Sequence, residues 1–181
     1  MTTQANTTTA HNLSRLTLKS FKTVKWMSEE TICFTAIVCI DGKAIGEASN
    51  EGHGGCTFIH YVNDAARVTA EAFAKSISPT DVEGWDFLAD KGFTFDNLID
   101  IAVELRDRAD AQKKRVAKIR KDAVKSVWFL TDKVGKGSYR SIKGVNDLNR
   151  PQAIEVARKV EGFTILIAEM TDAEIIAHFA I

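Results

Sequence analysis

Residues 31–49 read TICFTAIVCIDGKAIGEAS, and this stretch decides the fold. Thr31 to Ile40 is a continuous apolar run rich in β-branched side chains, the composition of a central strand. Asp41-Gly42 follows at once, and Lys43 to Ser49 continues in a strand-like pattern. A two-residue hairpin turn needs positive φ at both central positions, which Asp-Gly accepts, so the spacing predicts an antiparallel hairpin. Upstream, Leu16, Leu18, Val24 and Trp26 occupy even positions while Arg15, Thr17, Thr23 and Lys25 occupy odd ones. Phe21 and Lys22 blur the middle of this alternation. The pattern predicts an amphipathic strand over Asn12 to Trp26, and with the hairpin a three-stranded antiparallel meander.

Downstream, Asn50-Glu51-Gly52-His53-Gly54-Gly55 has three glycines in four positions and reads as a loop. Cys56 to Val62 fits a strand or an extended lead-in. Asn63 or Asp64 caps a helix reaching about Ile77, and Pro79 ends that region. Thr80 and Glu83 form a capping box for a short helix that stops near Gly92. Thr94 caps the next helix, with Phe93 and Leu98 placed as a hydrophobic staple. Its stripe is Leu98, Ala102, Leu105, Ala109, Val116, Ile119 and Ala123, with Gln112 in the one gap. A helix of roughly 28 residues is about 42 Å long. This seam predicts packing across a sheet; a coiled-coil homodimer through the long helix is the other use of it.

Ser126 to Thr131 reads as a buried strand, Gly135-Lys136-Gly137 as a turn, and Ser138 to Lys143 as a returning strand. Pro151 to Val160 is a helix with Gly162 just past its end. Phe163 to Met170 is a strand, and the Thr171/Glu174 capping box opens a final helix to Ile181. The fold class is therefore α+β. An N-terminal antiparallel meander packs with helices, then comes one long helix, then a C-terminal β-β-α-β-α segment. A single domain is expected over 13–181, behind a disordered tail over 1–12.

Composition excludes other classes. The 181 residues are 45% hydrophobic and 27% charged, which is unlike collagenous or disordered chains. No apolar run reaches membrane length, and the Thr- and Asn-rich start is unlike an export signal. Cys33, Cys39 and Cys56 are then reduced thiols, and the expected setting is cytoplasmic. Twenty-four basic and 24 acidic residues cancel, but they are segregated. Net charge is zero over residues 1–63, −6 over 64–110, +9 over 111–143 and −3 over 144–181.

Three features carry candidate chemistry. Lys114, Lys118, Lys121 and Lys125 fall on one helix face within the basic run 113–125, and Lys136 and Arg140 follow in the hairpin. Such a face can dock an acidic protein or track phosphates. Gly52, His53, Gly54 and Gly55 could form a nest of backbone N–H groups that holds an anion. His53, Cys56 and His60 have the residue types of a zinc site or a thiol pair, which makes a small hydrolase the rival reading. Gly135-Lys136-Gly137-Ser138 fails as a phosphate loop, because Gly137 interrupts the Lys-Ser step. No cofactor is expected.

Ser28-Glu29-Glu30-Thr31, Cys33-Phe34, Asp41-Gly42-Lys43 and Asn50-x-Gly52-His53-Gly54-Gly55 together resemble a family of small bacteriophage and mobile-element proteins. Tyr139-Arg140-x-x-Lys143, followed by a short helix with an early Pro, resembles that family's C-terminal part. The family has no assigned activity. The resemblance implies a setting, the bacterial host cytoplasm, and hence a non-enzymatic accessory protein that binds a host protein, such as an inhibitor of a defence or regulatory factor. Nucleic acid bound through the basic helix is the alternative partner.

Overall fold

The Asp41-Gly42 turn forms as the sequence predicts, with φ of 51° and 77°. It joins β2 (Phe34–Ile40) to β3 (Lys43–Asn50). Arg15, just ahead of the neighbouring strand, fixes the turn. Its Nε and Nη2 donate to the two Asp41 carboxylate oxygens at 2.8 and 2.7 Å. This computed structural model describes residues 13–78, 82 and 84–180. The tail expected over 1–12 and the Thr80/Glu83 capping box lie outside the described residues.

The fold is α+β. The chain gathers into two compact units, one up to Asp107 and one from Arg108. The first unit holds a four-stranded antiparallel meander, in the order β1 (Leu16–Thr23), β2, β3, β4 (Phe58–Tyr61). The fourth strand resolves the open reading of Cys56 to Val62. Ile59 and Tyr61 pack on the core, while Phe58 and His60 alternate to the opposite side.

Helix α1 (Asp64–Lys75) follows, with the Asn63 side chain accepting from the Ala66 N–H at 2.8 Å. The core of this unit joins Phe34, Ala36, Val38 and Ile40 of β2 to Ala70, Phe73 and Ala74 of α1. Leu98, Ile99, Ile101 and Val103 complete it from α2 (Phe95–Lys125).

The even-position alternation of the first strand ends at a bulge. Ser20 adopts φ 50°, and the pairing steps from Lys19↔Ile37 to Lys22↔Thr35, so Ser20 and Phe21 together oppose Ala36. An extra residue reverses which side chains face the core. Phe21 therefore packs inward. Val24 and Trp26 leave the strand, and Trp26 lies on a 3₁₀ turn (Lys25–Met27) with 83% of its surface exposed.

Helix α2 begins in the first unit and ends in the second. Its start is closed by Asn97, whose Oδ1 accepts from the Thr94 N–H and hydroxyl, and both staple residues are buried. The expected stripe holds at its two ends but not through its middle. Leu98 is fully buried, and Val116 and Ala123 sit in a second-unit core, but Leu105 is 50% exposed. Each unit buries only its own stretch of the helix.

The second unit contains a three-stranded antiparallel sheet, β6 (Arg140–Ile142), β5 (Val127–Thr131) and β7 (Phe163–Leu166). Trp128 and Leu130 face a cluster formed with Val116, Ile119, Ala123 and Ile175. Val127 and Phe129 face α3 (Arg150–Arg158) through Ala157. The strand expected over Phe163 to Met170 stops at Leu166 and continues as a 3₁₀ turn (Ile167–Glu169). Helix α4 (Asp172–Phe179) opens on the expected capping box, with both reciprocal bonds made.

Candidate functional site

The loop over residues 28–31 and the loop over residues 50–55 brace each other. The N–H groups of Glu29, Glu30 and Thr31 all point to the Gly52 carbonyl, at 3.0, 3.0 and 3.3 Å. Asn50 is the hub. Its Oδ1 accepts from the Thr31 hydroxyl and the Gly52 N–H, both at 2.8 Å, and its Nδ2 donates to the Gly55 carbonyl at 2.9 Å. Gly52 has φ 91°, and a side chain there would run into the Met27 carbonyl. The glycine is required twice, by conformation and by space.

This bracing occupies part of the expected anion nest. The Gly52 N–H is taken by Asn50, and the Gly54 N–H donates to the Thr31 hydroxyl at 3.3 Å. Two of the donors that a nest would offer are thus engaged within the loop pair. His53 lies against Glu29 at 3.2 Å.

The structure does not bring His53, Cys56 and His60 together as a metal centre. Among the described residues no three His, Cys, Asp or Glu side chains are placed to share a metal ion. His60 sits on β4 opposite Glu47, Cys56 is exposed, and Cys33 and Cys39 are buried.

Sequence reasoning missed Asp100. This helix residue accepts from the Thr57 hydroxyl at 2.5 Å, and Thr57 in turn lies 3.5 Å from Asn50 Nδ2. Asp100 borders a cleft of about 380 Å³ with Glu29, Glu30, Glu104, Asn50 and Trp85. Burial holds its carboxyl above the ordinary carboxylate range; the Thr57 hydrogen bond opposes this, and Asp96 and Glu104 add to it. The available signal was an acid between Ile99 and Ile101, inside the buried stretch of the helix's first half.

The lysine face lies in the second unit. Lys114, Lys118, Lys121 and Lys125 are all exposed, and none enters an ion pair among the described residues. At 100° per residue they fall within one narrow arc, opposite the side that buries Val116 and Ala123. Arg120 belongs to the other side. Its Nε donates to Asp172 at 2.9 Å and its Nη2 to the Met170 carbonyl at 3.0 Å, which ties α2 to the start of α4. Lys136 and Arg140 are exposed in and after the hairpin turn. That turn is held by the Gly137 N–H on the His178 carbonyl and by the His178 ring on the Ser138 carbonyl, at 2.9 and 2.8 Å.

Comparison with protein-family models, curated proteins and solved structures finds no match for this chain. No helix among the described residues is long and apolar enough to cross a membrane.

Proposed function

We propose that the chain is a non-enzymatic binding protein whose lysine face docks on an acidic surface of another protein. One observation carries this reading: four lysines stand in line on one helix face, exposed, without carboxylate partners among the described residues and directed away from the unit's core. Helix-dipole complementarity alone accounts for cations in the last turn, but the field falls off within about one turn and Lys114 lies well before it. A row of unpaired charges raises the rate of encounter with a complementary surface and fixes its register. The resemblance to bacteriophage and mobile-element proteins supports a host partner, with a defence or regulatory protein as the target.

Charge reversal tests this. The intact protein and its Lys114→Glu/Lys118→Glu/Lys121→Glu variant are used to capture partners from bacterial lysate, after nuclease treatment and with identification by mass spectrometry. A stoichiometric acidic protein held by the wild type and lost by the folded variant is the expected result. Equal capture by both removes the lysine face from the function.

A further inference from the structure

The zero net charge of residues 1–63 hides a second separation. From Leu13 to Ser28 the chain carries Arg15, Lys19, Lys22 and Lys25 and no acidic residue. Arg15 is held by Asp41, whereas the three lysines enter no ion pair among the described residues. The Ser20 bulge decides where two of them point. Lys19 pairs with Ile37 and Lys22 with Thr35, on the sheet face turned away from the core.

The register carries this face across all four strands. Lys22, Thr35, Ser49 and Phe58 form one row, and Lys19, Ile37, Glu47 and His60 the next. An open cleft of about 650 Å³ runs over the first row and over Ile37, Glu47 and His60 of the second. Phe58 is 69% exposed there. Trp26, still more exposed, stands on the turn beyond β1, at the sheet end where Phe58 begins β4.

An exposed ring on one edge strand, lysines without ion pairs among the described residues on the other, hydroxyl groups between them and Trp26 at the end of the sheet are the elements of a single-strand platform. Every base has a face that stacks on an aromatic ring, and phosphates follow the cations alongside. In a duplex the bases are stacked on one another and cannot reach such rings. Glu47, in the middle of the face, can accept from an exocyclic amino group of a base. An acidic peptide would engage the lysines but would meet Glu47 and leave the rings uncovered. We infer that the open face of the first unit's sheet binds single-stranded nucleic acid, with bases stacked on Phe58 and Trp26 and phosphates on Lys19, Lys22 and Lys25. The residues of this site belong to the first unit and the lysine face of α2 to the second, so the inference does not rest on that face.

The test is fluorescence anisotropy of labelled oligo-U and oligo-dT with the full chain, between about 50 and 200 mM salt. Phe58→Ala is expected to weaken binding roughly tenfold with the salt dependence unchanged, and Phe58→Trp to retain it. Lys19→Ala/Lys22→Ala should flatten the logarithmic salt slope by about 0.7 for each phosphate left without its lysine. Lys114→Ala/Lys118→Ala/Lys121→Ala should leave single-strand affinity within about twofold, because none of these lysines belongs to the first unit. The proposal is overturned if no single strand binds, if a duplex binds equally well, or if a poly-glutamate peptide competes as strongly as the oligonucleotide. It is overturned equally if loss of binding follows the α2 triple variant and not Phe58→Ala.

Discussion

The Thr57 hydroxyl sits 2.5 Å from Asp100 Oδ1, and this bond links helix α2 to the loop ahead of β4. Through Thr57 the helix reaches Asn50, and through Asn50 it reaches the loops over residues 28–31 and 50–55.

Asp100 makes the first unit's stability depend on pH in a defined direction. Its carboxyl titrates above the ordinary range because burial penalises the charge. Between the ordinary and the raised value the native state binds more protons than the unfolded chain, so unfolding free energy falls as pH rises through that window. Asp100→Asn keeps an acceptor for Thr57 and removes the charge. Urea unfolding from pH 4 to 7 should show the variant gaining on the wild type as pH rises. A constant difference would contradict this account.

Asn50 is 5% exposed, and its amide serves four groups. Asn50→Ala leaves several buried donors and acceptors without partners, at a cost of about 3 kcal/mol. The denaturation midpoint should drop at constant m-value, with protection lost in amide exchange at Glu29 to Thr31.

Two glycines separate conformational strain from steric collision. Gly42 has φ 77° with open space where a side chain would go, so Gly42→Ala should cost about 1 kcal/mol. Gly52 adds the Met27 carbonyl and the Cys33 Cβ to a similar φ, and Gly52→Ala should cost about 3 kcal/mol. Equal costs, measured by denaturation, would mean that the loops yield freely.

Thr131 is 4% exposed, and its hydroxyl has no hydrogen-bond partner among the described residues. Thr131→Val keeps the shape and removes an orphan polar group. Thermal unfolding should show a gain of about 1 kcal/mol.

What was legible in the sequence is what short-range chemistry determines. Asp41-Gly42, the Asn63 cap and the Thr171/Glu174 box each act over two to four residues, and each formed as expected. The α2 lysine face was legible for the same reason, because the helical period alone sets it. The Ser20 bulge was not, since the reversal of Phe21 and Lys22 follows from the pairing with β2. The lysine row on β1 depends on that bulge, and it also vanishes in a net charge summed over 63 residues. Asn50, Thr57 and Asp100 lie up to 50 positions apart, and no periodicity connects them. Leu105 continued the apolar stripe in the sequence but falls beside the boundary between two cores at Asp107.

The three free cysteines differ in access, with Cys33 and Cys39 at 8% and 1% exposure and Cys56 open to solvent. The native chain therefore presents one thiol to an alkylating reagent, and the unfolded chain presents three. A fluorophore can be placed at Cys56 without engineering. The slower labelling of the other two is a built-in clock for how often the first unit opens.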